Sequence, residues 1–383
     1  MDIVSSRALR WVAVVALGIA SAHAADWSVQ PLLVVGTDYD SNRTLASDAT
    51  GSEGVSMSGN MRLVHATERL QLLLLPELAL QRFSDRRFDR SDNDALSARA
   101  TWTGMLTSFD LSASLRDQST LSSELLSTGI FDLHTRRRDE QIGGTWSYAY
   151  AERWGVSLFS SYESQNYHGN ATTPLQDNRL TTFGLSEKYI ATQRLSFTAS
   201  ASSGHYVTEQ SSFDTRSDSA SAGFILSLSE RNQITGDFGW NRRTDQFSRS
   251  SGFVGQLLVS RSSETGSLSF SAGRSVVPSG FGVFSQMDQV LLSASRGLSE
   301  RLTLGAALSW YRTQSAFRSV TFDDRSYSQV RVSLTWRADP YWSIGAQLEG
   351  NRADSTLSAD PIAQGWRAGL VATWQPLERG LSR

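Results

Sequence analysis

The sequence predicts an all-β chain, a transmembrane antiparallel up-and-down β-barrel of about eighteen strands with short turns on one side and longer loops on the other. Three observations carry that expectation. Apolar and polar residues alternate with period two along nearly the whole chain, as in Trp366, Ala368, Leu370, Ala372 and Trp374 against Arg367, Gly369, Val371 and Thr373. The connections between alternating segments are by turns tight and long. Aromatic residues gather at the ends of the apolar faces, where a bilayer's two interfaces would lie. The last strand gives the scale, because its bounding tryptophans are eight residues apart. At about 3.3 Å per residue and with a barrel's tilt, that climbs roughly 20 Å, close to the height of an outer-membrane apolar band.

The chain has 383 residues, and residues 1–24 read as a cleavable export signal. Arg7 and Arg10 give the positive start, Trp11 to Ala20 the apolar run and Ala22-His-Ala24 the small-residue cleavage site. An apolar run of about ten residues is too short to span a bilayer as a helix. The remainder divides into a barrel, residues 25–374, and a short polar tail, 375–383, on the periplasmic side. There is no cysteine, which excludes disulfides, zinc-thiolate sites and thiol nucleophiles. A formal net charge of −2, with Lys188 as the sole lysine, gives no reason to expect nucleic acid.

Taken in order, Trp27 to Thr37 opens the series, and Val55 to Leu63 returns after a polar loop. Leu70 to Leu80 and Leu96 to Leu106 follow, then Phe109 to Leu115, Ile142 to Tyr150, Trp154 to Tyr162 and a weaker Phe183 to Tyr189. Leu195 to Ala201, Ala220 to Leu228, Ile234 to Trp240, Phe253 to Val259, Leu268 to Ala272 and Val290 to Ala294 continue the alternation. Leu302 to Trp310, Val330 to Trp336, Trp342 to Leu348 and Trp366 to Trp374 complete it. Tight turns fall near Glu68, Ser108, Glu152, Gln193, Glu230, Glu264, Glu300 and Asp339, and five of them share a Glu/Gln-Arg step. Turn chemistry repeated along the chain explains that step better than a docking motif does. Pro31 and Pro76 each remove a ladder donor, so bulges are expected there. Glu187 falls on the apolar parity of its strand, which requires an interfacial position or a register slip of one residue.

The apolar parity carries two aromatic belts. Trp154, Trp336, Trp342 and Trp374 lie beside tight turns, whereas Tyr162, Trp240, Trp310 and Trp366 lie toward the loops. The opposite parity would form an expensive dry core but a good wet lumen. It places Arg62, Arg99, Arg116, Arg331, Arg337 and Arg367 against Glu77, Asp110, Glu163, Asp237 and Glu349, on a wall otherwise mostly of small Ser, Thr and Gly. Such a lining either selects solutes by charge and hydrogen bonding or pairs its ions to brace the wall. Residues 118–138 form a long loop in which Thr120 to Gly129 predicts a short helix folded inward or lying on the rim. No cofactor or metal is expected. The one catalytic alternative is a rim hydrolase using His134 and Asp132; His65, His168 and His205 are read as solvated or satisfied.

The order of signal, first strand, Gly36-Thr-Asp-Tyr-Asp-Ser-Asn42 and then uninterrupted hairpins resembles the β-barrel porin 2 family, and also the outer-membrane barrels of exopolysaccharide secretion systems. The likeness covers the mature chain, with that short segment as its local motif. It implies an eighteen-stranded barrel. It also implies passive export of a secreted polysaccharide with a periplasmic polysaccharide-export protein as partner, and no catalytic residues. A general or oligosaccharide-uptake porin is the alternative function. Outer-membrane lipids and a polysaccharide or oligosaccharide solute are the remaining expected partners. The last strand resembles a barrel-assembly signal, so a chain cut after Trp374 is expected still to assemble.

Overall fold

The computed structural model describes residues 26–45, 49, 51–85, 92–124, 135–169, 175–209, 214–245, 248–316, 324–355, 362–376 and 379–380. The signal segment, residues 125–129 of the predicted helix, and His134 with Asp132 lie outside the described residues. The first six long strands are β1 (Asp26–Asp40), β2 (Ser52–Ala66), β3 (Leu70–Phe83), β4 (Asn93–Thr103), β5 (Thr107–Ser119) and β6 (Arg136–Ala151). The next six are β7 (Trp154–His168), β8 (Asn178–Ile190), β9 (Leu195–Thr208), β10 (Asp214–Ser229), β11 (Asn232–Thr244) and β12 (Arg249–Ser263). The last six are β13 (Gly266–Pro278), β14 (Phe284–Gly297), β15 (Leu302–Ser315), β16 (Arg325–Arg337), β17 (Trp342–Ser355) and β18 (Ile362–Trp374). A four-residue helix, α1 (Thr120–Ser123), follows β5, and a two-residue strand, β19 (Arg379–Gly380), ends the described chain. Each long strand pairs antiparallel with its sequence neighbours, and β18 returns to β1 from Leu33↔Trp374 to Asp40↔Arg367. The sheet is a closed eighteen-strand barrel.

Which face points outward follows from exposure. One cross-strand row runs Phe109, Trp146, Leu158, Leu185, Ala201, Ala220, Trp240 and Phe253, each directly opposite the next. Phe183 and Ile142 on this face are each 62% exposed. Left in water, a large apolar side chain forgoes about 1.5–3 kcal/mol of burial. A whole girdle of them is tenable only against lipid. The eighteen long strands run from 11 to 16 residues against the roughly 9–11 a bilayer requires, so the loop ends of the longer ones project beyond it.

The tight turns have a common chemistry. Thr67, Thr192 and Ser299 precede the Glu/Gln-Arg step, and each hydroxyl accepts from the backbone N–H three residues on, at 3.0, 3.0 and 3.1 Å. Asp339 does the same for Trp342 with a carboxylate at 2.8 Å. Ser229 accepts from Arg231 N–H at 3.3 Å, beside a register shift at Ser227/Ser229. Before the Glu152-Arg153 step stands Ala151, which has no such oxygen, and there the β6–β7 register shifts between Tyr148 and Ala151. A side-chain oxygen at the first position closes the turn.

Several expectations are corrected. Neither proline produces a bulge: β1–β2 keeps one register through Pro31↔Met61, and β3–β4 keeps one through Pro76↔Leu96. Pro31 lies where β18 pairing has stopped at Leu33 and β19 pairing has not begun, so on that side it interrupts no ladder. Opposite Pro76 the β2–β3 pairing is skipped between Asn60↔Glu77 and Leu63↔Leu74 but resumes in register. Of the two alternatives for Glu187 the structure takes the first, with no slip: it stays on the outer face near the tight-turn end, where Tyr150 Oη donates to it at 2.6 Å. The fourth strand ends at Thr103 rather than Leu106, because Gly104 N–H donates to Thr107 O and the chain turns. The polar tail is partly strand, since Arg379 and Gly380 pair with Val29 and Ser28. From Leu33↔Trp374 to Val29↔Arg379 the chain advances five positions on the C-terminal side against four on β1, an offset of one that separates β19 from β18.

Candidate functional site: the bore and its mouth

The inward parity makes the bore wall. Arg62, Glu77, Arg99, Asp110, Arg116, Glu163, Asp237, Arg331, Arg337, Glu349 and Arg367 all fall on it, while Trp154, Tyr162, Trp240, Trp310, Trp336, Trp342, Trp366 and Trp374 fall on the lipid side. The structure brings some of these charges together and not others. Arg99 Nε meets Asp110 Oδ2 at 2.7 Å, and Arg331 Nε meets Glu349 Oε2 at 2.8 Å. Glu349 also accepts from Asn351, whose Oδ1 accepts from Tyr327 Oη at 3.0 Å. Glu163 accepts from Gln165 and Asp237 from Ser221, while Arg337 reaches the Glu300 carbonyl at the turn rather than the middle of the bore. Arg62, Glu77 and Arg116 make no ion pair among the described residues. Hydroxyl pairs line the arc from β6 to β10: Ser147–Ser157, Ser200–Ser221 and Ser202–Ser219 lie 2.7–2.8 Å apart.

Arg367 finds a partner that alternation alone did not nominate. Its Nε donates to Asp38 Oδ2 at 3.0 Å, and Arg43 Nη2 donates to the same oxygen at 2.8 Å. Arg43 lies 3.7 Å over the Phe83 ring. Ser41 and Trp366 exchange bonds of 2.9 and 2.8 Å, and Asn42 Nδ2 donates to Gln364 O at 2.9 Å. The Asp-Tyr-Asp-Ser-Asn segment is therefore a clasp that fastens the first strand to the last. Asp38 and Arg43 side chains are 5% and 8% exposed, so the pair is dry.

The mouth on the loop side is bridged. Pairing of β12 with β13 stops at Gly255↔Arg274, although β13 continues to Pro278 against β14. Beyond that point the β13–β14 tip leaves the wall. Gly280 O accepts from Gln176 N–H at 2.7 Å, Ser279 O accepts from Tyr206 Oη at 3.2 Å, and the Tyr206 and Phe284 rings lie 4.9 Å apart. Tyr206 is inward-facing on β9, which is separated from β13 by three strands, roughly 19 Å of wall. Contact across that distance requires the tip to cross the interior. Tyr206, Phe284 and Ala316 form a buried apolar cluster there, with Leu180 and Val276 against it.

The start of the long loop is also inside. Helix α1 covers Thr120–Ser123, and Glu124 after it is fully buried, accepting from Arg137 Nη1 at 2.8 Å and Tyr167 Oη at 2.9 Å. Both partners face inward at the loop ends of their strands. Burial, and then the Glu124 charge, push the Tyr167 phenol above its usual range, so it stays a donor. His168 and His205 point outward, toward Asp117 at 3.6 Å and Asp214 at 2.7 Å. Among the described residues no three His, Cys, Asp or Glu side chains converge as a metal site.

Sequence reasoning missed Asp38, Arg43, Tyr206 and Phe284. Asp38 carried a signal, its place in the short motif; the tip contacts carried none, because they join segments far apart in the chain.

No protein-family profile matches the chain, and no curated protein matches it. Solved structures do. Pseudomonas aeruginosa OccK9 (OpdG) superposes with a TM-score of 0.51 at 12% identity, covering 91% of this chain and 98% of that one. Pseudomonas aeruginosa OpdQ gives a TM-score of 0.49 at 9% identity over 93% and 99%. Pseudomonas aeruginosa OccK2 (OpdF), solved in complex with glucuronate, gives 0.49 at 10% identity over 92% and 98%. The likeness to OccK9 is one of fold.

Proposed function

We propose that this protein is a passive outer-membrane channel for saccharides. The observation that carries the proposal is a closed barrel, lipid-facing outside, whose inner wall combines serine, threonine and glycine with arginine–carboxylate pairs. Hydroxyl-rich solutes replace water on such a wall group for group, donating to carboxylates and accepting from guanidinium. Residues 1–24 serve as the export signal and 25–374 as the barrel.

Within that reading the first assignment is export of a secreted polysaccharide. It is supported by the resemblance to exopolysaccharide-secretion barrels and implies a periplasmic polysaccharide-export partner at the tight-turn face. Deleting the gene should abolish surface polysaccharide and leave nutrient uptake unchanged; normal polymer secretion in the deletion strain overturns this assignment. The second assignment is oligosaccharide uptake, favoured by the bridged mouth, since a tip anchored across the loop side suits short solutes better than a continuous polymer. Slower growth of the deletion strain on oligosaccharides, with polymer secretion intact, selects it.

A further inference from the structure

The described bore wall carries a recess on β5, β6 and β7. It measures about 360 Å³ and is bounded by Asp110 and Ser112 of β5, Gln141 and Thr145 of β6, and Ser157 and Phe159 of β7. Phe159 is unusual there. The other inward aromatics among the described residues, Phe83, Tyr167, Tyr206, Tyr311 and Tyr327, stand in the loop-side halves of their strands, whereas Phe159 stands five residues from the tight-turn end of β7. Its ring lies across Gly184, directly opposite on β8: a Cβ on that glycine would fall 2.0 Å from the ring. The glycine therefore makes room for a ring laid along the wall, one face against backbone and the other toward the bore.

Asp110 lies in the same cross-strand row, opposite Thr145, which is itself opposite Phe159. Two strand spacings put the Asp110 and Phe159 backbones about 10 Å apart. Asp110 Oδ2 accepts from Arg99 Nε at 2.7 Å and from Thr101 Oγ1 at 2.8 Å, while Oδ1 accepts nothing among the described residues. An apolar ring face at one end and a half-used carboxylate at the other, with hydroxyls between, describe a ligand with both an apolar face and a polar rim.

We infer that this recess is a binding subsite for one pyranose unit of a neutral saccharide chain, with Phe159 as its stacking platform. The inference rests on the saccharide-channel reading. The C–H face of the sugar covers the Phe159 ring, and its ring hydroxyls donate to Asp110 Oδ1 and exchange bonds with Ser157 and Gln141. Arg99 cancels the Asp110 charge, so an uncharged ring fits better than an acidic one. Gly184 acts as a positioning residue, by leaving the ring flat.

The test is calorimetric titration of the detergent-solubilised full chain with cellohexaose. Phe159→Ala should weaken binding roughly tenfold, Phe159→Trp should retain it, and Gly184→Ala should weaken it by tilting a ring that is still present. Saturation-transfer NMR should show sugar ring C–H protons receiving magnetisation in the wild type and losing it in Phe159→Ala. Heat-modified mobility in gels confirms that each variant is folded. Equal affinity in wild type and Phe159→Ala overturns the subsite, as does the absence of wild-type binding at millimolar cellohexaose. Either result beside saccharide passage through liposomes removes the subsite and leaves the channel reading. Phe159-dependent binding in a strain whose deletion alters neither secretion nor uptake supports the subsite and removes the channel.

Discussion

The two weakest-looking joints of the barrel teach opposite lessons. Strands β1 and β18 are the ends of the chain, yet their joint is fastened at the loop side by Asp38, Arg43, Arg367, Ser41 and Asn42. Strands β12 and β13 follow each other through a tight turn, yet they part above Gly255↔Arg274. What decides is where the side chains at the loop end turn. At the closing seam the buried Asp38 draws guanidinium groups from two different segments, Arg43 buried beside it and Arg367 partly open to the bore. At β13 the guanidinium of Arg274 turns to Asp288 of β14, at 2.6 and 2.9 Å, and so ties the hairpin to itself. A hairpin braced internally and released from one neighbour is free to swing inward, and the Tyr206–Phe284 cluster gives it a place to land.

The largest expected effect breaks the fastened joint. Asp38→Ala leaves the buried Arg43 guanidinium without its hydrogen-bonded carboxylate and should cost about 3 kcal/mol, read as a lower urea midpoint of the folded barrel in detergent. Tyr206→Ala attacks the other joint. It removes a fully buried ring and should weaken tip docking by about 3 kcal/mol, read as a several-fold rise in single-channel conductance with the urea midpoint little changed. If Tyr206→Ala lowers the midpoint as much as Asp38→Ala, the two joints are not independent. Tyr206→Phe removes only the bond to Ser279 O and should cost about 1 kcal/mol, giving brief openings rather than a steady rise. Cutting after Trp374 should have the smallest effect: assembly persists, and hydrogen exchange increases only around Ser28 and Val29, which lose their pairing with β19.

Most of the wall was legible in the sequence, because a period-two signal depends only on neighbouring residues. Trp366 to Trp374 and Trp154 to Tyr162 show the two faces and their aromatic bounds directly. The tight turns were half legible: the Glu/Gln-Arg step stood out, but its physical cause is the Thr or Ser before it, as Thr67 and Ser299 show. The prolines misled for a definite reason. A lost donor forces a bulge only where the ladder needs it, and Pro31 sits between two stretches of pairing. The charged lining could be assigned to a face but not to partners, since Arg367 passes over the predicted acids for Asp38. Phe159 was hidden by parity reasoning, which expects small residues on the inner wall and cannot see that Gly184 stands opposite. The mouth was illegible because Gly280 and Gln176 meet only once eighteen strands have closed.

The most direct test of a saccharide-conducting bore is swelling of liposomes that contain the full chain, in a gradient of neutral oligosaccharides. The account predicts that wild-type barrels admit neutral oligosaccharides faster than acidic ones of the same length, and that Tyr206→Ala raises both rates. If neither the wild type nor Tyr206→Ala, both shown to be folded and inserted, admits any saccharide, the account is wrong.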